Sequence, residues 1–133
     1  MLFGQEHVDR YRETDGREGH DWNGTQTLLL TTTGRRSGKQ RTAPLIYASH
    51  DDAYTVVASN GGSQAPPSWY LNLTDDPEVG IQVEGERFKG RARTATPGEK
   101  PEMWQAMVGQ WPAYDEYQQR TDRVIPVVVL ERA

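Results

Sequence analysis

Short segments rich in β-branched and apolar residues recur along this chain, and turn residues separate them. Segments of this kind are typical of strands, and they cover residues 25–33, 41–49, 53–59, 79–93 and 124–130. From Val79 to Arg93 apolar and polar residues alternate on both sides of Gly85, which predicts two half-buried antiparallel strands. Pro126 lies inside the last segment, so we expect that strand at a sheet edge or with a bulge.

Two patterns predict helices between these strands. Ser68 is a candidate cap for a short helix that ends before Asp76 and Pro77. Thr96 and Glu99 have the spacing of a capping box, and the apolar stripe that follows predicts a second helix up to Pro112. Antiparallel strands with a few packed helices indicate a barrel-like α+β domain.

The first residues differ in composition from the rest of the chain. Residues 4–24 are strongly polar, so we expect a frayed helix, or a segment that orders on binding, which adds nothing to the core. The 133 residues suit one domain. We therefore predict a polar N-terminal segment at 1–24 and one folded, strand-rich domain at 25–133.

Composition removes several classes of protein. The chain has no cysteine and only three scattered histidines, which leaves little for a metal site, so we expect no metal. A net charge of −4 argues against general nucleic-acid binding, so we expect no nucleic-acid partner. The sequence shows no basic start followed by an apolar run and no long apolar span, so we expect a cytoplasmic protein without integral membrane association.

A basic loop is the first candidate site. Four of the fifteen basic residues lie within seven positions between two strand segments. Arginine forks, an ammonium group and glycine-exposed amides suit a phosphate or a row of carboxylates. A solvated hairpin tip is the competing interpretation. The candidate ligands are Arg35, Arg36, Ser37, Lys39 and Arg41.

Two further groups are candidates for binding or catalysis. Ser59, Asn60 and Gly61 begin a glycine-rich loop that could hold a flat heterocycle by backbone hydrogen bonds. Taken alone, the pattern favours an ordinary connection with Trp69 in the core. Tyr114 and Tyr117 are three residues apart and share a helical face. Neutral tyrosines donate hydrogen bonds, so the pair could polarise an acceptor or could simply pack.

Together these pieces resemble the deazaflavin-dependent nitroreductase family of actinobacteria. The resemblance covers about residues 25–131 in the family's order. The motifs that carry it are Leu28–Gly38 with Arg41 and Pro44-Leu45, Ser59–Gly62, Pro67–Leu73, and Tyr114–Tyr117 through Thr121–Val127.

The resemblance implies a split β-barrel that binds coenzyme F420, an 8-hydroxy-5-deazaflavin, and passes its hydride to a quinone-like or other electron-poor organic acceptor. It assigns the phosphate and polyglutamate tail of the cofactor to the basic loop, and it assigns the acceptor to Tyr114 and Tyr117. Ser59 is a further catalytic candidate. The remaining cofactor ligands that it implies are Pro44, Leu45, Asn60, Gly61, Trp69 and Asn72.

Three points stay open at this level. The alternative functions are an FMN-binding split-barrel oxidoreductase and a non-catalytic carrier of F420 or lipid. Split barrels often pair, so by analogy a homodimer is the expected assembly. Trp111 and Ile46 stand where the nitroimidazole-activating member of the family has tyrosines, so we do not expect activity on bulky nitro drugs.

Overall fold

The computed structural model describes residues 1–133. The elements in chain order are α1 (Gly4–Thr14), β1 (Asp21–Trp22), β2 (Thr25–Thr33), β3 (Gln40–Ile46), β4 (Ala48–His50), β5 (Ala53–Val57), a 3-10 turn (Asn60–Gly62), α2 (Ser68–Asp75), β6 (Glu78–Val83), β7 (Glu86–Thr94), α3 (Lys100–Gln110), α4 (Ala113–Gln119) and β8 (Val127–Arg132). None of the helices combines the length and the apolar character needed to cross a membrane.

The eight strands form one curled antiparallel sheet. Its order is β1-β2-β6-β7-β8-β5-β4, and β3 also pairs with β2 from Thr27 to Thr33. Only Tyr47 separates β3 from β4, so one bent stretch of chain pairs with β2 at one end of the sheet and with β5 at the other. This connection curls the sheet into a barrel, which confirms the predicted α+β class.

Two apolar clusters use the two faces of the sheet. Val128 and Leu130 of β8 point into the barrel, whereas Val127 and Val129 pack on the other side against α3 and α4. Because both faces of β8 are buried, an almost continuous apolar sequence is required there. The reciprocal bonds predicted between Thr96 and Glu99 are present: Glu99 N donates to Thr96 Oγ1 at 3.3 Å, and Thr96 N donates to Glu99 Oε1 at 2.8 Å. They lie in the turn before the helix, however, because α3 begins at Lys100 with Glu99 in the cap position.

Three local predictions are wrong. β8 is not an edge strand, because it pairs with both β5 and β7, and Pro126 lies just before it. Ser68 does not cap α2: Pro67 occupies the cap position and Ser68 is the first helical residue. The segment 41–49 is not one strand, because it breaks at Tyr47, where the barrel bends.

The expectation that residues 4–24 add nothing to the core is also wrong. His7, Val8 and Tyr11 of α1 are buried, and Val8 and Tyr11 pack on Leu29 of β2. The Tyr11 hydroxyl donates to Thr27 O at 2.9 Å and accepts from Glu84 N at 2.8 Å, and burial raises its pKa to about 12. A small group of inward-facing side chains fixes an otherwise polar helix.

Candidate functional site

Two adjoining cavities form a groove along β3. The basic cavity, of about 420 Å³, is lined by residues of the loop after β2 together with 41–43 of β3 and the start of α2. The aromatic cavity, of about 550 Å³, continues along residues 44–46 of β3. Trp69 lines both cavities, so they are two parts of one groove with different chemistry at each end.

The turn at Gly34 shapes the basic cavity. Gly38 N donates to Gly34 O at 2.8 Å, and Gly34 N donates to Lys39 O at 2.8 Å. A Cβ on Gly34 would lie 2.7 Å from Ser37 Oγ and 3.2 Å from Lys39 O, so a side chain at this position would crowd the turn. The turn thereby presents Arg35, Arg36 and Ser37 on the cavity wall.

Asn72 attaches this loop to α2. Its side chain is 3% exposed, and Oδ1 accepts from Arg35 N at 3.2 Å and from Arg35 Nη1 at 2.9 Å. Its Nδ2 donates to Thr32 Oγ1 at 3.2 Å. Asn72, expected as a cofactor ligand, therefore lines the basic cavity with its amide already engaged, and it orients Arg35.

The positive charge of the loop has no internal partner. Among the ion pairs of the structure, none involves Arg35, Arg36, Lys39 or Arg41. Three of these cations line the basic cavity, whereas Lys39 is exposed and lies outside its lining. Uncompensated cations around an open cavity form a site for an anion.

The aromatic cavity has flat apolar walls and a few polar groups. The predicted site residues among its lining are Pro44, Leu45, Ser59, Asn60, Gly61, Trp69, Tyr114 and Tyr117, and Ile46 and Trp111 lie there too. Tyr117 Oη accepts from Trp111 Nε1 at 3.3 Å. The Tyr114 ring lies edge-on to Tyr117, with 6.0 Å between ring centroids. Both predicted tyrosines therefore reach one cavity.

Burial governs the chemistry of Tyr114. Its side chain is 6% exposed, and desolvation, followed by the neighbouring Tyr117, raises the pKa of Tyr114 well above that of a free tyrosine. A raised pKa keeps the hydroxyl protonated at neutral pH. Tyr114 can therefore donate a hydrogen bond into the cavity but cannot act as a base.

Arg123 holds the glycine-rich loop, and sequence reasoning missed it. Its guanidinium donates to Ser59 O at 2.7 Å, to Ser63 O at 2.8 Å and to Ala58 O at 3.3 Å. On the other side of the loop, a Cβ on Gly62 would lie 2.7 Å from Tyr117 O. The loop is thus fixed between Arg123 and α4, which places Ser59, Asn60 and Gly61 in the cavity wall.

The N-terminal segment closes one side of the aromatic cavity, which sequence reasoning also missed. Phe3, His7 and Trp22 line it. The Trp22 ring lies 5.9 Å from Trp111, measured between ring centroids, and Trp22 Nε1 donates to Leu2 O at 2.7 Å. Residues 4–24 are mostly polar, so nothing in the sequence indicated that the few aromatic side chains in and beside this segment would line a cavity.

The groove fits an elongated ligand with a flat ring at one end and several negative charges at the other. The unpaired cations suit the anionic end, and Trp69 stands at the junction. The aromatic cavity, at about 550 Å³, has the size of a small-molecule binding site. F420 has this division of chemistry, and the residues present fit it.

Comparisons with known proteins agree with this geometry. The model of the family described as F420H(2)-dependent quinone reductase matches residues 3–132. A relative from Mycobacterium tuberculosis (strain H37Rv), named F420H(2)-dependent quinone reductase, is 45% identical over 127 residues, which cover 92% of this chain and 85% of the relative.

Two solved structures share the fold and much of the sequence. One, described as a domain-swapped dimer, has a TM-score of 0.76 and 37% identity over 96% of each chain. The other, described as an F420-H2 dependent reductase, has a TM-score of 0.73 and 40% identity over 79% of this chain and 93% of that one. These similarities confirm the split-barrel fold. Because the family model spans nearly the whole sequence, the chain belongs to the F420H(2)-dependent quinone reductase family.

Proposed function

We propose that this protein is an oxidoreductase that transfers a hydride from reduced F420 to a quinone or a similarly electron-poor organic acceptor. The observation that carries the proposal is the single groove with unpaired cations at one end and an aromatic cavity with a buried tyrosine donor at the other. When bound, reduced F420 supplies the hydride from carbon 5 of its central ring.

The basic cavity would hold the phosphate and the glutamate tail. Arg35, Arg36 and Arg41 supply the charge, and the hydroxyl of Ser37 supplies a further donor. Lys39 lies outside the lining and is exposed, so its share would be long-range attraction. Because exposed charges are screened by salt, we expect cofactor affinity to fall as ionic strength rises.

The walls of the aromatic cavity would hold the ring and the acceptor. Pro44, Leu45 and Trp69 provide apolar surface, and the loop at Asn60 and Gly61 provides backbone groups. Fixing two reactants next to each other removes entropy from the barrier. The chain therefore contributes position and exclusion of water, and the cofactor contributes the redox chemistry.

Tyr114 would act on the acceptor. Its protonated hydroxyl can donate to the acceptor oxygen as negative charge develops there. Tyr117 accepts from Trp111, which leaves its own proton free to donate into the same cavity, and the hydroxyl of Ser59 is a third donor in the wall. These three residues are the proposed catalytic set.

Binding is the first test of the proposal. Purified protein should retain F420 through gel filtration and quench its fluorescence in a titration, whereas FMN, run as the competing cofactor, should not be retained. Replacing Arg36 and Arg41 together with alanine should weaken F420 binding. Retention of FMN alone would contradict the assignment of F420.

Turnover is the second test. Tyr114→Phe should reduce the rate of menadione-dependent oxidation of reduced F420 roughly 100-fold, the size expected for one donor to a developing oxyanion, with little change in F420 affinity. The Tyr117→Phe variant serves as the comparison, because it removes a neighbouring hydroxyl from the same cavity. Binding without oxidation by any quinone would instead indicate a carrier.

Assembly is a separate part of the proposal. A similar chain is described as a domain-swapped dimer, which supports a homodimer here. Light scattering of the purified protein would distinguish a dimer from a monomer.

A further inference from the structure

A third cavity lies on the outer face of the sheet beside the last turn of α1. It has a volume of about 370 Å³, and we call it the outer channel. Its lining contains three cations, Arg12, Arg87 and Lys89, and no acidic residue. The function described above makes no use of this surface.

The outer channel meets the basic cavity at Thr42. This residue lines the basic cavity, and its Oγ1 accepts from Arg12 Nη2 at 2.8 Å and lies 2.8 Å from Thr31 Oγ1. Arg12 and Thr31 both line the outer channel. A flexible chain that leaves the basic cavity past Thr42 therefore arrives directly at the outer channel.

A cross-strand row forms the floor of the outer channel. Thr42, Thr31, Gly80 and Lys89 are partners in register across β3, β2, β6 and β7. Neighbouring strands are about 4.8 Å apart, so the row spans roughly 14 Å. The two threonine hydroxyls make this row polar, and Gly80 adds no side chain that would obstruct a ligand lying on it. The row ends at the ammonium group of Lys89.

The cations of the outer channel are largely uncompensated. Arg12 and Lys89 take part in no ion pair. Arg87 has one ion pair, at 3.5 Å to Asp15, and both of those side chains are more than 60% exposed. Its guanidinium also donates to Arg12 O at 3.4 Å. Beyond Lys89 the outer channel adjoins a cavity that shares Gly80 and Lys89 with it and is also lined by Asp76 and Glu78. Neither of these carboxylates forms an ion pair with Lys89. The charge of the outer channel is thus available to a negatively charged ligand.

We propose that the outer channel binds the distal carboxylates of the glutamate tail of F420, after the tail has passed through the basic cavity. The proposal rests on the proposed function. Two features select this occupant: the outer channel carries the opposite charge to a row of carboxylates, and it continues from the cavity that would hold the start of the same tail.

The test compares two tail lengths in three proteins. Affinity is measured by fluorescence titration at low salt for F420 with two and with six glutamates. The proteins are the wild type, the double variant Arg12→Ala with Lys89→Ala, and a control double variant, Arg17→Ala with Arg91→Ala. The control removes the same charge from exposed residues that do not line the outer channel.

The ratio of the two affinities is the decisive quantity. We expect the wild type and the control to bind the long-tail form about fivefold more tightly, the size of a few exposed ion pairs. In the Arg12→Ala, Lys89→Ala variant the ratio should fall close to one. An equal ratio in all three proteins, or no tail-length preference in the wild type, would overturn the proposal. If the wild type bound neither form, the assignment of F420 itself would fail.

Discussion

Arg123 offers a sharp test of how this fold holds the glycine-rich loop at residues 59–63. Its guanidinium donates to three carbonyl groups, those of Ala58, Ser59 and Ser63. Hydrogen bonds from a charged donor contribute about 1.5–3 kcal/mol each, and the lower figure suits a half-buried group. The three contacts together then contribute roughly 4 kcal/mol to the order of the loop.

Loss of that order should appear in cofactor affinity. In an Arg123→Lys variant the charge remains, but an ammonium group cannot reproduce the planar fork that reaches three acceptors. If one of the three contacts survives and water replaces part of another, roughly 2 kcal/mol is lost, which is about a 30-fold weaker Kd for F420. Ordering the loop has an entropic cost of about 1–2 kcal/mol per residue that offsets these contacts. The loss therefore makes the binding-competent loop a minor population, and the apparent affinity falls by that fraction.

Two measurements separate this effect from general destabilisation. Fluorescence titration gives the Kd for F420, and amide hydrogen exchange reports the opening of residues 59–63. Exchange should accelerate at this loop in Arg123→Lys and stay unchanged in β7 and β8. If Arg123→Lys bound F420 as tightly as the wild type while the loop exchanged faster, the idea that loop order sets affinity would be refuted.

Three further changes have defined outcomes. Tyr11→Phe removes a hydroxyl that bonds two backbone groups, so chemical denaturation should show a loss of about 1–3 kcal/mol in the free energy of unfolding; an unchanged value would mean that α1 is held by packing alone. Glu99 has its pKa lowered to about 2, first by hydrogen bonding from the Arg93 side chain, so its stabilisation is complete above the unfolded pKa near 4.3 and is lost as pH falls towards 2. Glu99→Gln should accordingly lower Tm at pH 7, and the difference should shrink below pH 4.5; a gap that stays constant down to pH 3 would contradict the assigned pKa. Trp22→Ala opens the side of the aromatic cavity next to Trp111, so steady-state kinetics should show a higher KM for menadione with a nearly unchanged Kd for F420.

Local patterns predicted the strands and the capping box because those features depend on neighbours in sequence. The alternating residues at Val79–Arg93 form two paired strands with one buried face, as predicted. Thr96 and Glu99 make the reciprocal hydrogen bonds that their spacing predicted. The position of β8 was mispredicted because Pro126 was taken to lie inside the strand, whereas pairing begins one residue later.

The parts of the site that sequence could not supply depend on long-range contacts. Arg123 meets the carbonyl groups of a loop about sixty residues earlier in the chain, and no spacing signals that contact. Residues 4–24 are mostly polar, yet the Tyr11 hydroxyl bonds backbone groups of β2 and of the turn after β6, and Trp22 contacts Trp111. A helix that uses only a narrow buried stripe has no strong sequence signature.

The distribution of charge, rather than its sum, explains how an acidic protein can bind a polyanion. Arg10, Arg93 and Arg132 are each paired with glutamates, whereas the cations of the basic cavity have no acidic partner. Concentrated cations repel one another, and that repulsion is tolerated only where function requires an open positive site. An anionic ligand relieves it in the folded state alone, so ligand binding and fold stability must rise together. The same charge that would attract the proposed cofactor tail therefore gives the basic loop a reason to be more stable with that ligand bound.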